Sequence, residues 1–186
     1  ERFPYNTLNA ENPGISGFGD LYQNINQMNL FISRTLHTDV LTESAKNYYL
    51  GQVYGLRAYY MYQLYRSWGD AVFTEEPSLG FEVGKLAKAA TPAAEIFEQV
   101  KKDIESSLSY FGPDYTIKEK KSLWSKAATL MLKADVYLWS AHRDGGEGDA
   151  RTAKNALVDI QNNISRSNLD LMDTYQGVFA YDNKGN

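Results

Sequence analysis

Metal, nucleophilic and acid–base chemistry each need particular residues at particular spacings, and this chain offers few of them. It has two histidines, His37 and His142, and no cysteine. Disulfides, thiolate metal ligands and cysteine nucleophiles are therefore excluded. Arg34 and Trp139 stand three residues before the histidines, so the Glu-x-x-His pairs of di-iron bundles are missing. The His-Glu-x-x-His zinc pattern is missing as well. Both histidines read as helix-end residues, and neither a metal nor a cofactor is expected. Gly145-Gly146-Glu147-Gly148 has no Walker spacing, no following Lys-Ser/Thr and no preceding strand, so it reads as a flexible surface loop. No Gly-x-Ser-x-Gly elbow supplies a nucleophile. The one loop cluster of acids is Glu75-Glu76 near Asp70. Two carboxylates can cleave a glycoside, yet adjacent acids point in different directions. No catalytic residue is assigned, and the chain is not expected to be an enzyme.

Binding is a different matter, because aromatic side chains are abundant. The 186 residues include 14 Tyr, 8 Phe and 3 Trp, 13% of the chain. Tyrosine has an apolar ring and a polar tip, which suits packed helices, sugar-stacking surfaces and protein interfaces alike. Seven tyrosines, at 48, 49, 54, 59, 60, 62 and 65, fall in one segment. Their helical spacing over several faces favours a core role for most of them. Loop aromatics such as Tyr5, Phe18 and Tyr115 are too few to define a sugar site. Arg57 lies on the apolar stripe Val53–Tyr60–Leu64. A guanidinium there must be paired, with a carboxylate or loop carbonyls, since an unpaired buried charge is costly.

The elements that carry these residues read as helices. A net charge of −4 argues against a nucleic-acid surface, which needs clustered positive charge. A hydrophobic content of 43% argues against disorder. No apolar run approaches the roughly 20 residues of a membrane span. Residues 1–19, with Pro4, Pro13 and three glycines, read as a loop-rich lead-in. Apolar spacing of three and four predicts helices over 20–38, 42–68, 91–110, 122–142 and 149–163. Thr42 is placed to cap the second and Gly69 to end it. Thr91-Pro92 is a helix start, with a capping hydroxyl before Pro at the first helical position. Lys118, Lys120 and Lys121 read as solvated charge. The segment 165–186 reads as an irregular tail. The expected fold is all-α: stacked helical hairpins over 20–164, with long irregular connections, in a single domain spanning 1–186.

The stretch Gly55-Leu56-Arg57-Ala58-Tyr59-Tyr60-Met61-Tyr62-Gln63-Leu64, followed by Trp68-Gly69-Asp70 and Pro77, resembles the signature of the SusD/RagB family. Further stretches match in order. Leu21-Tyr22 through Asn29-Leu30-Phe31-Ile32 is similar to the family's first helix. Thr91-Pro92 with Asp103-Ile104-Glu105 and Leu108 is similar to the next. Lys126-Ala127-Ala128 with Leu132-Lys133-Ala134-Asp135 is similar to the fourth. The resemblance covers about residues 20–180. One departure is that Ala71-Val72-Phe73 follows Gly69-Asp70, with Pro only at 77.

This resemblance implies a tetratricopeptide-like scaffold and a binding function. The family consists of outer-membrane, cell-surface lipoproteins that bind oligosaccharide or polysaccharide and cap a TonB-dependent transporter. Its members are longer, so the chain is expected to be the N-terminal helical portion of one, with the membrane reached only through a lipid anchor outside it. The residues that carry the family signature, Arg57, Ala58, Gly69 and Asp70, are scaffold residues, and no glycan-binding residue is carried over. The alternative within the same family is a scaffold that docks the transporter without binding glycan itself.

Overall fold

The computed structural model describes residues 17–80, 87–118 and 122–179. Four long helices make two antiparallel hairpins, and a fifth lies against the first of them. In chain order these are α1 (Gly19–Leu36), α2 (Glu43–Trp68), α3 (Ala93–Phe111), α4 (Lys126–Ser140) and α5 (Gly146–Asn162). A short α6 (Tyr175–Val178) follows. Among the described residues there is no strand, only an isolated antiparallel bridge between Ala71 and Thr91. The chain is thus all-α, as its apolar spacing predicts. Tyr5, Lys120, Lys121 and most of the lead-in and of the tail's end lie outside the described residues.

Local chemistry sets most helix ends. The Thr42 hydroxyl accepts from the Ala45 amide, and Gly69 ends α2 at φ 74, where a Cβ would be strained. Four expectations change. Thr91 does not cap α3. It pairs with Ala71 instead, and the Asp70 carboxylate takes the Ala93 amide at 2.8 Å. The fourth helix starts at Lys126 rather than 122, because the Ser125 hydroxyl caps it by accepting from Ala128. Gly145 and Gly146 are not a flexible loop. A π-helical turn (Ala141–Gly145) leads into α5, and Gly146 at φ 54 makes the reversal. The tail holds a 3-10 turn (Ile164–Ser167) and α6 before the described residues end.

The main core lies where α2, α3 and α4 meet. Ala58, Met61, Tyr62, Ile96, Val100, Ile104 and Val136 are completely buried there. Each large aliphatic side chain so buried stabilises by roughly 1.5–3 kcal/mol relative to exposure. Glycines on α2 allow the close approach of its neighbours. A Cβ at Gly51 would meet the Phe111 ring at 3.0 Å, and one at Gly55 would strike Trp124 Nε1. A second core joins α4 to α5 through Ala134, Ala153 and Ala156, closed by Leu130 and Tyr115.

Candidate functional site

Arg57 and Asp103 are both fully buried, at the seam between α2 and α3. The guanidinium donates twice to the carboxylate, Nε to Oδ2 and Nη2 to Oδ1, each at 2.7 Å. Its Nη1 donates to Asn29 Oδ1 on α1 at 2.8 Å, and Gln99 Nε2 donates to Asp103 Oδ1 at 3.0 Å. Burial pushes the Asp103 carboxyl above its usual range, against the pull of Arg57. Every charge in the seam has a partner, so the arrangement ties three helices together and leaves no group to react. Ala58 packs in the same seam with no exposed surface. Sequence reasoning named none of Asn29, Gln99 and Asp103 as members of this cluster. Asn29 sits between Ile25 and Ile32 on the buried face of α1, and that polar break was an available signal.

Asn29 also reaches the connection after α2. Its Nδ2 donates to the Thr74 carbonyl at 2.6 Å. One turn earlier, Asn26 accepts from the Ser78 amide at 2.7 Å and donates to the Ser78 carbonyl at 3.2 Å. These bonds press residues 71–78 onto α1 and shape two adjoining hollows of about 280 and 420 Å³. Tyr22 and Val72 line both. Phe73, Gln23 and Lys88 line the first, and Phe18, Trp68 and Ala90 the second. Phe18 packs edge-on against Tyr22 at 5.4 Å and against Trp68 at 6.0 Å. Burial raises the Tyr22 phenol above its ordinary value, and a hydrogen bond with the Val72 backbone opposes that in part. Trp68 is half-buried at the rim. The cleft can therefore take an apolar or ring-shaped ligand by stacking.

The other predicted positions lie apart from it or are occupied. Asp70 is engaged as the α3 cap, and Glu75 sits 3.4 Å from Lys102. His37 closes α1 with its ring against the Ser33 carbonyl, and His142 is exposed in the π turn. No group of acids or histidines among the described residues could hold a metal ion. Of the α2 tyrosines, Tyr62 is fully buried, but Tyr49 and Tyr59 are 38% and 41% exposed, more than a pure core stripe would leave. Tyr115 is not a free loop aromatic. It is buried and donates to Asp159 at 2.6 Å. Lys118 is not simply solvated, since it pairs with Asp114 at 3.3 Å.

Paired helices stacked on a polar seam, with a shallow aromatic cleft at one end, define a helical-repeat scaffold. The SusD-like family, described as starch-binding and associating with outer membrane, matches residues 5–138. NanU of B. fragilis is 48% identical over the whole chain, with a TM-score of 0.87, and the match covers 36% of NanU. A SusD superfamily protein from Bacteroides vulgatus is 44% identical over the whole chain, with a TM-score of 0.86 and 37% of its length covered. SusD-like protein P38 from Formosa agariphila is 32% identical over 113 residues, 59% of this chain and 20% of P38. The chain belongs to the SusD-like family, and its fold is the tetratricopeptide-like one of that family. It spans only a fifth to just over a third of the length of these relatives.

Proposed function

We propose that the chain is the N-terminal helical portion of a glycan-binding protein at the outer-membrane cell surface, lipid-anchored in its full length. In this reading it caps a TonB-dependent transporter and presents oligosaccharide to it by non-covalent binding. The observation that carries the glycan reading is membership of a family described as starch-binding and associating with outer membrane. The rings of Phe18, Tyr22 and Trp68 in the cleft support it, because a ring face stacks on the C–H face of a sugar. The full-length protein is expected to bind at least one member of a broad polysaccharide panel. Failure across that panel with a well-folded sample would count against the reading.

One observation favours a second reading, a scaffold that docks the transporter without touching glycan. Asn26 and Asn29, two of the three amides lining the first hollow, are already spent on Ser78, Thr74 and Arg57. A transporter recovered in pull-down by a protein with no glycan affinity would select this reading.

A further inference from the structure

The opposite end of α2 carries a groove of different character. It holds about 410 Å³ between the first turns of α2, the last turn of α3 and the turn that follows. Ser44, Asn47, Ser109 and Tyr110 line it, with the Asp114–Lys118 pair at its edge. Among the described residues, the exposed side chains of Ser44, Asn47 and Ser109 make no hydrogen bond. Tyr110 is held rigidly, stacked on Tyr54 with centroids 5.6 Å apart and planes 12° from parallel. Tyr48, also in the lining, carries the Lys118 ammonium 4.6 Å from its ring centre.

The contrast with the cleft is specific. There two of the three lining amides, Asn26 and Asn29, are consumed in holding the 71–78 connection, and among the described residues Gln23 is left over. Here an amide and two hydroxyls, each able to donate and accept, stand unspent beside a fixed aromatic ring. Sugar hydroxyls need groups of that kind, and the ring supplies a stacking face. Lys118 is neutralised by Asp114, whose carboxyl is held below its usual range chiefly by the Thr116 amide. The pair therefore adds no net charge.

We propose that this groove is a second carbohydrate subsite and takes a neutral sugar unit. The proposal rests on the glycan reading above and adds a place to it. Ser44 and Trp68 are 24 residues apart on one helix, roughly 36 Å at 1.5 Å per residue. One small sugar cannot span both ends, whereas a polymer touching both gains from the raised effective concentration of its second contact.

The test uses the full-length protein and affinity gel electrophoresis in a panel of soluble neutral polysaccharides that includes starch and laminarin. Three variants are compared with wild type: Asn47→Trp to fill the groove, the double variant Asn47→Ala/Ser109→Ala, and Trp68→Ala in the cleft. The double variant is expected to weaken retardation by about tenfold, as loss of two hydrogen bonds would. Asn47→Trp is expected to weaken it at least as much. All substituted groove positions are exposed, and an unchanged circular-dichroism melt confirms the fold. If Asn47→Trp lowers the melt, the double variant decides alone. Wild-type retardation that both groove variants leave intact overturns the subsite and spares the glycan reading. A wild type retarded by nothing in this neutral panel overturns the neutral-sugar subsite, whereas the glycan reading itself stands or falls on the broader panel above.

Discussion

The hairpin of α2 with α3 and the hairpin of α4 with α5 solve the same packing problem with opposite chemistry. The first buries a guanidinium and a carboxylate at its centre, then extends the polar seam through Ser107. That hydroxyl bonds to the Gly51 carbonyl at 2.6 Å and to Thr129 on α4 at 2.8 Å. The second has no buried charge among its described residues and closes on Ala134, Ala153 and Ala156. Its polar contacts sit at the rim, where Tyr115 bonds Asp159 and the Lys126 ammonium lies 3.8 Å from the Tyr115 ring centre. A buried ion pair admits one register of its helices, because any slip strands two charges in a medium that cannot solvate them. Small residues allow close approach but penalise a slip less. The first hairpin thus holds α1 and the cleft in place, and the second contributes mainly packing.

This contrast can be broken experimentally. Arg57→Ala leaves Asp103 buried and unpaired, and is expected to cost about 3–5 kcal/mol of stability. An unchanged melting temperature would refute the assigned weight of the seam. Replacing both partners, as Arg57→Met with Asp103→Leu, is expected to recover much of that loss. Recovery would show that the penalty comes from the stranded charge.

In the second hairpin, Ala153→Leu overpacks a position with no exposed surface and is expected to cost about 1–3 kcal/mol. Chemical denaturation of this variant beside Arg57→Ala ranks the two seams. An Ala153→Leu loss equal to or larger than that of Arg57→Ala would reverse the ranking.

A smaller effect belongs to the rim. Tyr115→Phe removes the hydrogen bond to Asp159 and is expected to cost about 1 kcal/mol. Burial first, then that bond, pushes the Tyr115 phenol up to about 12. A raised value favours the neutral phenol in the fold. Its stabilisation is therefore complete below about pH 10, the ordinary tyrosine value, and is lost as pH climbs toward about 12. Denaturation midpoints at pH 9 and pH 11 should converge between wild type and Tyr115→Phe at the higher pH. Smallest of all, Glu105→Gln breaks a half-exposed pair with Lys133 and is expected to shift stability by no more than about 1 kcal/mol. A larger shift would give the rim more weight than the contrast allows.

Much of this was readable from residue order. Thr42 and Gly69 mark the ends of α2 by local chemistry, and apolar spacing marks the five long helices. Arg57 on an apolar stripe announces a buried partner, because few other fates are open to it. The identity of that partner was not readable, since Asp103 is 46 residues away and looks like any helix-surface acid. For Asp70, read as a scaffold residue, the partner was hidden for the same reason. Next to Glu75-Glu76 it reads as one of three acids, and its engagement as the α3 cap follows only once the connection folds back. Tyr115 sits in a Gly-Pro-Asp turn, and nothing local places it against Asp159.

Fold class, helix boundaries within a few residues and family membership rest on patterns local in sequence, and these survive without tertiary context. Periodicity and caps act within one or two turns, so a single strand of text records them. Which polar groups are spent and which remain available depends on side chains dozens of residues apart. Asn29 and Asn47 are both helix asparagines, yet packing binds one to Arg57 and Thr74 and leaves the other facing an open groove. That assignment is a property of how the hairpins stack, because desolvation and pairing are set by neighbours in space.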